Sequence, residues 1–162
     1  MTDLAELKEK IKYLEDVEEI KQLKYKYQRC LDTKDWDGLA ETFVKDATTA
    51  FSDGQYTLKG VDKIMEFLRS SPLGEDKIFI GVHHVHHPEI KITSDTTATG
   101  IWALYCYMVN KTQKTGLRIL AYYHDEYVKM NGQWKINFTG YDRILEETWK
   151  REDIPSMELV AG

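Results

Sequence analysis

Four of the chain's five histidines fall within eight residues, HHVHHPEI, from His83 to Ile90. In an extended strand side chains alternate, so His84 and His86 share one face and His83 and His87 the other. Two imidazoles on one face are a start toward a metal site, but no third ligand stands near them in sequence. The two cysteines, Cys30 and Cys106, have neither metal-ligand nor redox spacing. No metal and no cofactor are expected. Taken singly, each histidine reads most simply as a structural residue. One that faces an internal cavity is better suited to proton transfer, because imidazole titrates close to working pH. A second group, YKYQRCLDTKDWDGL, closes a helical segment. Tyr27 and Asp32 are five residues apart, about 140° around a helix, so they flank one face. The plainer alternative is a core tyrosine and a carboxylate at the unfavourable pole of the helix dipole.

The elements that must position these groups follow from periodicity. Asp3 to Lys34 is helical, with Leu4, Leu7, Ile11, Leu14, Val17, Ile20, Leu23 and Tyr27 three or four apart. The first four form a heptad-like seam, too short for an independent coiled coil, which suits a subunit contact or packing against the same chain. Asp35 can cap a second helix from Trp36 to Phe43. Two short strands flank Asp53-Gly54, and a third helix spans Gly60 to Ser71, where Pro72 stops it. The period then changes to that of strands: Ile78–Thr93, Thr97–Asn110, Leu117–Met130 and Gln133–Ile144, the last two joined by the hairpin dipeptide Asn131-Gly132. Helices followed by a meander specify an α+β fold: a cone-shaped, curved antiparallel sheet with three N-terminal helices on its concave face, enclosing a pocket. A single domain is expected over residues 1–162, with a helical extension at 1–15 and a tail at 148–162.

Bulk properties narrow the partners. The net charge of -5 lacks a basic tract, which argues against nucleic acid. No apolar run reaches membrane-spanning length, and the charged N-terminus is unlike a signal peptide, so a cytoplasmic location is expected. Ten tyrosines and four tryptophans serve ordinary packing and can also line a pocket for a polycyclic ligand.

The segments YQRCLDTKDWDGLAETF, HHVHHPEI, ATGIWAL and GQWKINFTGYDR occur in the order and spacing of the SnoaL-like family, in the nuclear transport factor 2-like superfamily. The chain resembles that family, and within it bile-acid 7α-dehydratase and scytalone dehydratase, from about Asp16 to Glu147. The resemblance implies a pocket in which Tyr27, Asp32, His86 and Arg143 are catalytic. Asp32 would orient His86 as base, Tyr27 would bond the oxygen that gains charge or protonate the departing hydroxyl, and Arg143 would grip a carboxylate or oxyanion. Trp36, Phe51, His84, Trp102, Cys106 and Tyr141 would contact substrate. Cys106 departs from the pattern: it stands where the resembling enzymes have an aspartate or a histidine, and a buried thiol is a poor proton donor. The second half of the proton-handling pair is then missing or moved to His84 or His83.

The implied activity is a cofactor-independent dehydratase-like lyase acting on an apolar, ring-containing hydroxy-carbonyl compound of steroid or polyketide type. An isomerase or aldol-type cyclase, or a non-catalytic ligand-binding or subunit-type member, are the alternatives. Strand parity adds two expectations. Trp134, Ile136 and Phe138 alternate as one face of the last strand, whereas Tyr141 and Arg143 have the opposite parity. If all face inward, one extra residue must intervene, and Gly140 is the expected bulge. Tyr105 and Tyr107 face away from Cys106, so an outer sheet face is available to bury in a homo-oligomer, a dimer or trimer.

Overall fold

The structure, a computed structural model, describes residues 3–71, 74, 78–154 and 156–160. Helix α1 runs from Leu4 to Thr33, and Lys34, in the left-handed conformation, ends it by donating its backbone N–H to the Leu31 carbonyl. Helix α2 is shorter than expected, Trp36–Ala40, because Phe43 opens strand β1 (Phe43–Phe51) instead of closing the helix. Asp35 caps it as expected, accepting from the Gly38 N–H at 3.0 Å. Strand β2 is Tyr56–Lys59 and helix α3 is Val61–Ser70. The expected stop at Pro72 lies outside the described residues. Four long strands follow: β3 Phe79–Ile92, β4 Thr97–Asn110, β5 Thr115–Met130 and β6 Gln133–Lys150. β6 continues past Ile144 into the expected tail, where Thr115, Gly116 and Leu117 pair with Lys150, Trp149 and Thr148.

The strands form one six-stranded sheet in the order β2-β1-β6-β5-β4-β3. The last four make an antiparallel meander as the hairpin signals predict, and β1 joins β6 in parallel. The sheet is curved, carries its helices on one face and does not close into a barrel. Leu104 and Ile136 of that face, with Ile20, Leu39 and Ile64 of the helices, make a continuous core between the layers. Burying them supplies roughly 1.5–3 kcal/mol per large side chain.

Bulges in β3 and β6 decide which side chains face the core. In β3, His86 pairs with Ala103 and Glu89 with Ile101, so His87 and Pro88 together oppose the single residue Trp102. His87 takes a positive φ of 51° there, and proline contributes no donor to the ladder. Because side chains alternate, one extra residue swaps the two faces of everything upstream. Ile90 and Ile92 face inward below the bulge; Val85, His83 and Gly81 face inward above it. β6 has two extra residues: Asn137, since Ile136 pairs with Tyr127 and Phe138 with Glu126, and Ile144, since Arg143 pairs with Ala121 and Leu145 with Leu120. The expected bulge at Gly140 is therefore corrected. The faces swap three residues earlier, Phe138 turns outward beside the exposed Glu126, and Tyr141 and Arg143 keep the inward parity. Gly140 has another reason to be glycine: a Cβ there would stand 2.7 Å from the Ala50 carbonyl oxygen of β1.

A wholly buried ion pair ties α1 to the sheet. The Lys24 ammonium lies 2.8 Å from Asp125 and 3.6 Å from the Tyr123 ring centroid. Asp125 also accepts from Tyr127 and Thr139, each at 2.6 Å, which compensates its loss of water. Just over two turns earlier, Asp16 accepts from Lys129 at 2.6 Å and from the Trp134 indole at 2.9 Å. No described helix is long and apolar enough to cross a membrane.

Candidate active site

The inner face of the sheet and the C-terminal half of α1 enclose a cavity of about 60 Å³. α1 contributes Tyr27 and Leu31, β1 Phe51, and α3 Leu68. The sheet contributes His83, Leu104, Cys106, Met108, Ile119, Tyr123 and Tyr141. A second cavity of about 410 Å³ shares Phe51, Leu68, Met108 and Tyr141 with it, and Tyr56, Phe67 and Phe79 are in its wall. Larger depressions of about 480 and 670 Å³ elsewhere are lined by exposed carboxylates such as Glu15 and Glu66 and hold no histidine.

One polar contact organises the inner cavity. Asp32, in the last turn of α1, receives the ring Nδ1 of His83 at 2.6 Å and the backbone N–H of the same residue at 3.0 Å. With both carboxylate oxygens engaged by one residue, the imidazole is held in place. An ionised Asp32 takes the hydrogen of Nδ1, which leaves Nε2 as the basic nitrogen of a ring that lines the cavity. The expected partner, His86, is elsewhere. It lies on the outer face, exposed, with its Nδ1 3.2 Å from that of His87. His84 also points outward, 6.3 Å between ring centroids from Tyr105. The bulge at His87–Pro88 is the reason: an unbulged strand would set His84 opposite Cys106, and the extra residue sets His83 there instead.

The remaining expected residues divide. Tyr27, Phe51, Cys106 and Tyr141 line the cavity. Burial pushes the Cys106 thiol up to about 12, with the negative charge of Asp32 adding to the shift, so it stays neutral. Burial likewise raises the Tyr27, Tyr123 and Tyr141 phenols, which therefore stay protonated as hydrogen-bond donors. The Tyr141 hydroxyl is 2.8 Å from that of Ser52, and its ring meets Tyr123 edge-on at 5.5 Å. Trp36 packs half-buried against the core from α2, away from both cavities. Trp102 is completely buried and donates to the Tyr127 hydroxyl at 2.9 Å, deeper in the core than the cavity wall. Arg143 is corrected as well. Its guanidinium is held by Asp53 at 2.6 Å and Glu146 at 2.6 Å, and it lines neither cavity. Asp53, in the turn after β1, also accepts the Arg143 backbone N–H, so this arginine fastens a loop. Tyr123 adds to the expected set; its inward parity is shared with Tyr127 and is readable once β5 is paired with β4.

Residues 12–139 match the model of the SnoaL-like domain. The chain belongs to the SnoaL-like family. Solved structures show the same fold in relatives of low sequence identity. A scytalone dehydratase-like protein from Novosphingobium aromaticivorans is 21% identical with a TM-score of 0.77, the match covering 85% of this chain and 90% of that one. A hexachlorocyclohexane dehydrochlorinase from Novosphingobium barchaimii is 17% identical with a TM-score of 0.80, covering 94% and 99%. A nuclear transport factor 2-like protein with a cystatin-like fold, also from N. aromaticivorans, is 19% identical with a TM-score of 0.71, covering 89% and 92%. At these identities the likeness is one of fold.

Proposed function

We propose that this SnoaL-like domain is a cofactor-independent lyase in which His83, oriented by Asp32, removes a proton from carbon. The observation that carries the reading is the 2.6 Å contact between Asp32 and His83 Nδ1 at the wall of an otherwise apolar cavity. Asp32 stabilises the imidazolium that forms, and the Tyr27 phenol, itself hydrogen-bonded by Tyr123, lines the same cavity as a donor to an oxygen on which charge develops. The electron pair left on carbon forms the new double bond and expels the leaving group on the neighbouring carbon. Cys106 is held neutral and the phenols are held protonated by burial, so none of them is a ready acid. The proton that a departing hydroxide needs is then the one His83 has just taken, and base and acid are one residue acting in turn.

Cavity size bounds the substrate. About 60 Å³ is room for a few water molecules. It admits the reacting carbons, while a ring lies in the adjoining 410 Å³ space against Phe67 and Tyr56. Arg143 is engaged elsewhere, so nothing in the described walls recognises a carboxylate, and a neutral hydroxy-carbonyl or halogenated ring compound fits best. The shortage of a strong acid also favours a second reading, an isomerase, in which the imidazolium returns its proton to another carbon and no group leaves.

His83→Ala and Asp32→Asn are each expected to lower turnover by ~10²–10⁴-fold with the fold intact by circular dichroism, while His86→Ala leaves it unchanged. Solvent deuterium entering recovered substrate or product without loss of water marks the isomerase. Ligand binding that survives His83→Ala with no turnover in the parent chain would mark a non-catalytic binding protein instead.

A further inference from the structure

The first three turns of α1 have no cover among the described residues of their own chain. Leu4, Leu7, Ile11 and Leu14 are between 44% and 66% exposed, although they repeat at the spacing of a coiled-coil seam. The helix meets the sheet through Asp16, Ile20, Lys24, Tyr27 and Leu31. At about 100° per residue the seam lies roughly 160° from that buried line, so it faces away from the body and cannot fold back onto it. The overhang of about 18 Å is nonetheless held in position, because Lys12 bonds Asp95 of the β3–β4 turn at 2.6 Å.

We propose that this seam is a docking surface for a second copy of the chain, packed antiparallel along α1. In that arrangement Leu4 meets the partner's Leu14, and Leu7 meets the partner's Ile11. Charge complementarity supports the choice of occupant. Lys8 and Glu15 flank the seam on the same side, where antiparallel helices bring each beside the other, twice over by symmetry. A parallel pairing also matches charges at the tip, Asp3 with Lys8 and Lys10 with Glu15. But the seam positions after Leu14 are Glu18 and Lys21, and parallel helices would set Glu18 against Glu18 and Lys21 against Lys21. Antiparallel helices end before that point and leave both in water.

The test is sedimentation equilibrium of the full chain and of exposed-site variants whose folding is checked by circular dichroism. The parent chain self-associates in a concentration-dependent manner, and Ile11→Asp removes that step by placing a carboxylate in the seam. Lys8→Glu weakens it by about tenfold in Kd, since two attractive pairs become repulsive. Lys8→Glu with Glu15→Lys restores it to within about threefold, because the exchanged charges still match across antiparallel helices. A monomeric parent, or a mass that Ile11→Asp leaves unchanged, overturns the interface. A double variant as weak as Lys8→Glu alone overturns the antiparallel orientation, since in parallel helices the exchange sets a like charge beside both Asp3 and Lys10.

Discussion

At the scale of single residues the site is defined as much by what is neutral as by what is charged. Cys106 sits opposite His83 in the β3–β4 ladder, so it is the nearest test of whether the thiol takes part. Its proton is retained up to about pH 12, far above any working range. Cys106→Ala is expected to keep turnover within about tenfold of the parent, against the much larger loss for His83→Ala, because a neutral buried thiol moves few protons. Equal losses in the two variants would make the thiol catalytic and overturn the His83 mechanism. In the same series Arg143→Ala is expected to alter thermal stability and not ligand affinity, since the guanidinium is bound to Asp53 and Glu146. Of the residues singled out in the sequence, Tyr27, Phe51, Cys106 and Tyr141 reach the cavity wall and Asp32 reaches a histidine there. Which histidine faces inward was not legible in the sequence, because parity is read by counting and a bulge changes the count.

At the scale of elements, α1 is fastened to the sheet by polar contacts that periodicity cannot show. Asp16 is the clearest of them. Burial alone would raise its pKa, but the hydrogen bonds from Lys129 and Trp134 outweigh it and hold the carboxyl below its ordinary value. A folded pKa below the unfolded one stabilises the protein above the unfolded value of about 4, and that contribution is lost as pH falls through the folded value. Asp16→Asn should therefore cost about 1–3 kcal/mol at neutral pH and progressively less in acid. Melting curves of both proteins across that range check it, and a gap that persists unchanged at the acid end would show that the charge is irrelevant. The helices and strands themselves were legible from spacing, including the Asn131-Gly132 hairpin. The early end of α2 was not: Leu39 and Phe43 are four apart, as a helix would have them, yet both reach the core from different elements. The parallel pairing of β1 with β6 joins strands about ninety residues apart and has no local signature.

At the scale of the whole molecule, the outer sheet face is the larger question. Val82, Tyr122 and Leu145 are 40%, 45% and 39% exposed on it, beside Tyr105 and Tyr107. Burying this face between copies is expected, so light scattering should give a mass above the 18.9 kDa monomer and Tyr122→Asp should lower it. That step is separable from the α1 seam, because the two surfaces share no residue. The bulge in β3 has a consequence for how such a molecule is made. A folding chain can lay β3 on β4 in either of two phases, one regular with His84 opposite Cys106, the other bulged with His83 there. The regular phase spares the strand a left-handed His87, so the two outcomes compete during folding. The core beside the bulge breaks the tie, since the bulged phase buries Val85 opposite Leu104 where the regular phase would bury His86. Deleting His87 makes the native phase the regular one, and the shortened chain should refold faster than the parent with His83 still in place; slower refolding, or loss of the Asp32–His83 contact, would show that no such competition exists.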